Sequence, residues 1–220
     1  METLDYKGYT IRIEQDEDAQ NPRTEHDNVG TMVCFHHKYR LGDKHSYDKA
    51  DFDSWDELKE RLIADGAHII LPLYLYDHSG ITMNTTGFTC RWDSGQVGFI
   101  FCLKEQVQAE WDGDDEKAKA YLESEVKTYD DHLTGNVYGY KITSPEGKDL
   151  DDSCWGYFGD PEKSGVIDEA KSIVDAYIED KNLPHVETDY SIGGTKPCKR
   201  RYTNSTRTSR FSATRSSTSR

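Results

Sequence analysis

The sequence lacks the long apolar runs and the paired cysteines that mark several classes of protein. No apolar segment approaches the ~20 residues that span a bilayer, which predicts no membrane partner. The first residues show no basic segment followed by an apolar one, so we expect no signal peptide. No two of the five cysteines form a C-x-x-C pair, which excludes zinc-ribbon and dithiol motifs. We therefore expect a cytoplasmic protein with reduced thiols, in which Cys34, Cys102 and Cys154 are small core residues.

Acidic residues are absent from the last part of the chain. From Gly194 onward there are eight basic residues and no acidic ones. The preceding residues carry 41 acidic and 19 basic side chains, an excess of 22 negative charges. Such a body repels nucleic acid, stays in solution and attracts a basic protein surface. Contact with nucleic acid is expected only through the basic end, which would bind phosphates without sequence preference.

The composition changes at the same point. Residues 194–220 consist largely of Ser, Thr and Arg and cannot bury enough surface to offset the entropy of ordering. We expect them to form a flexible tail. Residues 1–193 hold most of the aromatic side chains, which bury large apolar areas. They are predicted to form a single α+β domain.

Hydrophobic periodicity predicts the elements of that domain. Alternating or apolar segments predict strands, and the segments at 68–76 and 97–103 are apolar enough to be the interior of a sheet. Pro72 predicts that one side of its strand is partly unpaired. Ser54 and Glu57 form a capping box at the start of a helix. We predict a mainly antiparallel sheet with helices packed on one face. A strand–turn–strand unit is expected at 6–13, single strands at 30–39, 68–76 and 95–103, and a hairpin of strands 136–143 and 152–158. Helices are expected near 54–64, 104–111, 114–133 and 162–181.

Residues 74–101 hold the densest set of chemically active side chains. Asp77-His78-Ser79-Gly80 and Asp93-Ser94-Gly95 have the residue types that turns require. Loops held by rigid strands are also where functional sites are usually built. The pattern therefore indicates two turns, with a functional site on those turns as the alternative.

Two kinds of site fit these residues. Asp77, His78, Cys90 and Asp93 are candidate catalytic residues, because a thiol beside a cation, with a histidine and a carboxylate, is typical of acyl transfer. Asp27, His36 and His78 are candidate metal ligands, since carboxylates and imidazoles bind hard and borderline metals. The alternative is that these histidines hydrogen-bond nearby backbone or carboxylates. No cofactor-binding motif is present, and the sequence does not identify a cofactor.

Several runs resemble an uncharacterised family found in bacteriophages and bacterial mobile elements. They lie at 27–32 (DNVGTM), 41–43 (LGD), 71–81 (LPLYLYDHSGI), 92–100 (WDSGQVGFI), 133–140 (LTGNVYGY) and 152–159 (DSCWGYFG). The resemblance covers most of residues 10–160 but not the Arg/Ser/Thr-rich tail. The family has no assigned activity, so the resemblance implies the cytoplasm of a bacterial host as the setting and implies no mechanism.

These observations favour a phage-type accessory protein that binds a host macromolecule. The acidic body would occupy a basic surface of a host protein and compete there with nucleic acid. One alternative is a small hydrolase that depends on a metal or on a Cys/His pair. A second is a structural component of the virion whose tail contacts a neighbour or the genome. The sequence leaves open whether the protein is an enzyme and how many copies assemble.

Overall fold

Two antiparallel sheets organise the part of the chain that the computed structural model describes, residues 2–182. Their strands are β1 (Glu2–Tyr6), β2 (Tyr9–Gln15), β3 (Thr31–Cys34), β4 (Ala67–Asp77), β5 (Ile81–Asn84), β6 (Ser94–Leu103), β7 (Val137–Thr143) and β8 (Cys154–Phe158). The helices are α1 (Pro22–Glu25), α2 (Trp55–Ala64), α3 (Lys104–Trp111), α4 (Asp115–Thr134) and α5 (Val166–Asn182), with one 3-10 turn at Lys49–Asp51. The strand orders are β1-β2-β7-β8 and β3-β6-β4-β5.

The first sheet begins with a tight hairpin and is covered by one helix. Lys7 and Gly8 both have positive φ angles, 51° and 83°, which is the backbone of the hairpin turns that match strand twist. The inward side chains of β2 alternate with partly exposed ones, as expected for a sheet with one buried face. They form a core with β7 and with α5.

The second sheet has β6 and β4 as its two inner strands, as the apolar segments predicted. Strand β5 pairs only with residues 74–77 of β4. Beside Pro72 the strand therefore has a single neighbour, β6, which confirms the interpretation of that proline. A bulge occurs at Val97, because Leu73 pairs with Gly98 while the next residue of β4 pairs with Gln96.

Helices cover both faces of the second sheet. On one face α4 contributes Leu122, Val126 and Tyr129 to a core that contains Met32 and Ile100. On the other face α2 packs Leu58 and Leu62 against Val33 and Phe99. The α+β class and the antiparallel pairing are confirmed. The division into two sheets and the second covered face are additional features, which periodicity cannot reveal because it reports burial and not pairing.

Residues 2–182 belong to one compact unit. None of the helices in this range combines the length and the apolar content that a membrane crossing requires. The tail predicted at 194–220, and the boundary predicted at residue 193, lie outside the residues that the structure describes.

Candidate functional site

The first of the two predicted turns connects β4 and β5. Asp77 pairs with Ile81 to close the hairpin. Within it, the backbone N–H of His78 donates to the carbonyl of Gly80 at 3.0 Å. Ser79 and Gly80 have φ angles of 57° and 152°, so both lie in the positive-φ region that turns use. The turn interpretation of Asp77-His78-Ser79-Gly80 is therefore confirmed by the geometry.

The second predicted turn, Asp93-Ser94-Gly95, is wrong for two of its residues, because Ser94 and Gly95 lie in β6 and pair with Tyr76 and Leu75 of β4. The connection between β5 and β6 is residues 85–93, which we call the Trp92 loop. At its start, the side chain of Asn84 accepts hydrogen bonds from the backbone of Thr86 at 3.1 Å and of Gly87 at 2.7 Å. At its end, the carbonyl of Asp93 accepts from the backbone N–H of Asp77 at 2.8 Å. The hydroxyl of Ser94 donates to the carbonyl of Cys90. Both ends of the loop are thus fixed to the sheet.

His78, Cys90 and Asp93 meet at the base of this loop. The Nδ1 atom of His78 lies 3.3 Å from Oδ2 of Asp93. The Sγ atom of Cys90 lies 3.8 Å from the same oxygen. An acyl-transfer triad needs the histidine in contact with the nucleophile and the carboxylate behind it. Here the carboxylate of Asp93 contacts both His78 and Cys90, so the histidine does not stand between the thiol and the carboxylate as the triad requires.

Asp77 contacts a different group of side chains. Its carboxylate lies 3.0 Å from Nζ of Lys38 and accepts from the hydroxyl of Tyr39 at 3.3 Å. The ammonium of Lys38 holds the pKa of Asp77 below its usual value. The ring of His36 stacks on Tyr39 with centroids 5.0 Å apart, and burial lowers the pKa of this histidine. Asp77 and His36 therefore lie near one another, joined through Tyr39 rather than by direct contact.

The predicted metal ligands are not assembled. Asp27 is exposed and precedes β3, whereas His36 follows it, so they lie toward opposite ends of that strand. His78 is bonded to Asp93 as described above. Within residues 2–182, no group of three or more histidine, cysteine, aspartate or glutamate side chains is placed to hold a metal ion. The set Asp27, His36 and His78 is corrected accordingly, because the fold separates its members.

A buried ionic cluster, which the sequence pattern did not reveal, lies beside the core of the second sheet. Arg23 of α1 is bound through Nε and Nη2 to the carboxylate of Asp43, at 2.9 and 2.6 Å. Its Nη1 donates to Glu125 and to Asn28, both at 2.9 Å, and Nη2 also donates to the carbonyl of Gly30 at 2.6 Å. All five guanidinium N–H groups can therefore be accounted for.

The carboxylate of Glu125 completes the same cluster. It accepts from the backbone of Val29 at 2.7 Å and from Gly30 at 3.2 Å. Burial raises its pKa, although Arg23 opposes this effect. Because donors and acceptors satisfy one another, the cluster joins α1, α4 and the segment before β3 and leaves no group for a ligand. The sequence signals only the start of α1, since asparagine before proline is typical of a helix start. It does not signal that Arg23 meets Asp43 and Glu125.

A cleft of about 570 Å³ lies between α4, the end of β8 and the segment that leads to α5. Two lysines line it, and each is paired with an aspartate of the cleft. Lys127 contacts Asp131, and Nζ of Lys163 lies 3.8 Å from Asp160. The charges of the cleft are therefore balanced within the chain and do not indicate the class of a ligand.

The side chain of Trp92 is 96% exposed. It stands in the loop whose two ends are fixed to the sheet, next to the exposed Arg91. No feature of the sequence signalled this exposure, because tryptophan in a strand-rich segment is usually packed.

The fold defines an α+β protein built from two antiparallel sheets. The candidate residues His78, Cys90 and Asp93 lie in the loops that connect β4, β5 and β6. Asp77 is the last residue of β4, and Asp27 lies apart from them, before β3. Comparison with known proteins finds no family model, no curated protein and no solved structure that matches this chain.

Proposed function

We propose that this protein binds a basic surface of a macromolecule through its acidic body. In this proposal the chain is an accessory protein of a phage or mobile element. It would bind the basic surface of a host protein and exclude nucleic acid from that surface. Electrostatic complementarity of this kind accelerates association and selects the partner.

The observation that carries the proposal is that acidic side chains far outnumber the basic side chains available to pair with them before Gly194. Among residues 2–182, nine lysine and arginine side chains form ion pairs with carboxylates of the same chain, namely Lys7, Arg12, Arg23, Lys38, Arg61, Lys117, Lys127, Lys141 and Lys163. Acidic residues outnumber basic ones by 22 before Gly194. The surplus carboxylates therefore lack enough cations within the body and are available to a basic partner.

The turn between α3 and α4 shows this surplus at a defined place. Five of the seven residues from Glu110 to Glu116 are acidic. Glu110, Asp112 and Glu116 of this segment are exposed, and so is Glu105 near the start of α3. The exposed carboxylates repel one another, and a partner with clustered lysines or arginines would neutralise this repulsion. The binding would weaken with salt, because exposed charges are screened beyond about 8–10 Å at physiological ionic strength.

The hydrolase alternative has less support. Its thiol version requires His78 to contact Cys90, and both contact Asp93 instead. Its metal version requires three ligands that the fold separates. The virion alternative depends on residues 194–220, which lie outside the described range, and it stays a prediction.

The proposal is tested with the full-length protein and a fluorescently labelled octalysine peptide. We expect binding at 50 mM NaCl that weakens strongly at 300 mM, measured by fluorescence anisotropy. The variant E105Q/E110Q/D112N/E116Q should bind more weakly. The matched variant E2Q/E17Q/E162Q/E179Q removes the same number of exposed charges elsewhere and should bind more tightly than the first variant.

Two results would contradict the proposal. The first is an absence of binding by the wild-type protein at 50 mM NaCl. The second is an affinity that does not change between the two salt concentrations, since that would exclude an electrostatic contact. Equal weakening of both variants would show that the contact depends on net charge rather than on the α3–α4 turn.

A further inference from the structure

Trp92 differs from the other tryptophans of the chain. Trp55 packs edge-on against Phe99 with centroids 6.3 Å apart, and Lys49 lies 5.1 Å over its ring. Trp111 packs against Tyr121 at 5.2 Å, and Lys141 lies 5.4 Å over Trp155. Trp92 has 96% of its side-chain surface exposed. Both faces of its ring are therefore open to a molecule that approaches from solvent.

Aromatic contacts with β4 hold the Trp92 loop in place. Gly87 has a φ of 83° and lies against the ring of Tyr74, where an added Cβ would be 3.7 Å from that ring. Phe88 packs on Tyr76 at 5.7 Å, and Tyr76 stacks on His78 at 6.0 Å. An aromatic anchor on a fixed base loses little entropy on binding, and tryptophan is among the residues most enriched at binding hot spots.

We propose that Trp92 is the anchor through which this protein contacts its partner, and that its ring receives an arginine or lysine side chain of a basic protein surface. The inference rests on the proposed function, which supplies the charge of the partner. Tryptophan is the best aromatic acceptor for a cation over its face. The chain uses this contact twice internally, at Trp55 and Trp155.

The long-range attraction of a basic partner and its short-range contact come from different parts of the molecule. Arg91 is exposed beside Trp92, while Asp93 is engaged by His78 and Cys90. The immediate surroundings therefore do not attract a cation strongly, and the long-range attraction comes from the 22 excess negative charges of the body. The ring supplies the short-range contact. This division favours a protein partner over nucleic acid or anionic lipid, which the body repels.

The test uses the full-length protein, its variants and two labelled peptides, octaarginine and octalysine, at 50 mM NaCl. We expect Trp92→Ala to weaken binding of octaarginine by about two- to five-fold, the range of an exposed cation–π contact. Trp92→Phe should retain part of the affinity. Ile63→Ala is the matched control, because Ile63 is an exposed apolar side chain on α2, 53% accessible, and should leave the affinity unchanged.

Each other outcome overturns the inference in a distinguishable way. If the wild-type protein binds neither peptide, the proposed function fails with it. If the wild type binds and Trp92→Ala binds equally well, only the role of Trp92 fails. Sedimentation showing a dimer that Trp92→Ala abolishes would make a second copy of the chain the occupant. Binding to phosphatidylserine vesicles that requires Trp92 would make a membrane surface the occupant.

Discussion

Gly98 lies in β6 where the backbone of β3 approaches closely. A Cβ atom built on Gly98 would lie 1.9 Å from the carbonyl oxygen of Val33, which is backbone and cannot move aside. Glycine in a strand interior often marks such an approach. The sequence pattern identified this segment as a central strand, yet it did not distinguish Gly98 from Gly95 in the same strand.

The two glycines give a matched pair of substitutions. Gly98→Ala should lower the free energy of unfolding by about 1–3 kcal/mol, the usual range for overpacking. Gly95→Ala should be close to neutral, because nothing lies within 4 Å of the position that its Cβ would take. Urea denaturation of both variants measures the difference. Equal stability would show that β3 can shift away from β6 without loss.

At the scale of elements, α4 is tied to the segment before β3 by Glu125. Its carboxylate is bonded to Arg23 and to the backbone of Val29 and Gly30. We expect Glu125→Gln to destabilise the protein by about 3 kcal/mol, because the substitution leaves the buried guanidinium short of a compensating charge. Glu123→Gln, an exposed change on the same helix, should shift the urea midpoint very little. A neutral effect of Glu125→Gln would mean that Asp43 alone balances Arg23.

The elements themselves were largely predictable, and their pairing was not. Ser54 caps the start of α2, where its hydroxyl accepts from the backbone of Glu57 at 3.2 Å. The carboxylate of Glu57 accepts from the backbone of Asp53 rather than of Ser54, so the predicted capping box is formed only in part. Gly135, with a φ of 73°, ends α4 as expected. These signals are local. The contacts between Arg23 and Glu125, or between His78 and Asp93, join residues that are distant in the chain, and their meeting depends on which strands become neighbours.

At the scale of the whole molecule, stability should depend on pH through His132, a partly buried histidine. The Nδ1 atom of His132 is buried and has no hydrogen-bond partner among the described residues, and its ring stacks on Tyr129. Burial lowers its pKa from the ordinary value of 6.5. Below pH 6.5 the unfolded chain therefore binds more protons than the folded protein, so the free energy of unfolding falls as the pH falls.

We expect thermal unfolding to shift to lower temperature between about pH 7 and pH 5 in the wild-type protein. The shift should be smaller in His132→Phe, which keeps an aromatic ring at this position and removes the titrating nitrogen. Ser124→Ala serves as the control, because Ser124 is an exposed side chain of the same helix and does not titrate, and it should follow the wild type. If His132→Phe loses as much stability as the wild type over this pH range, another group must take up the proton.

Because β5 is short, part of β4 is an edge strand, which affects the tendency of the protein to aggregate. Along residues 67–73, one edge of β4 pairs with no other strand of the described chain. Unpaired strand edges can pair with strands of other molecules and so start fibril formation. Pro72 lies in this edge and lacks an N–H to offer an incoming chain. Pro72 therefore protects the unpaired edge of β4 against pairing with other molecules, which reduces aggregation.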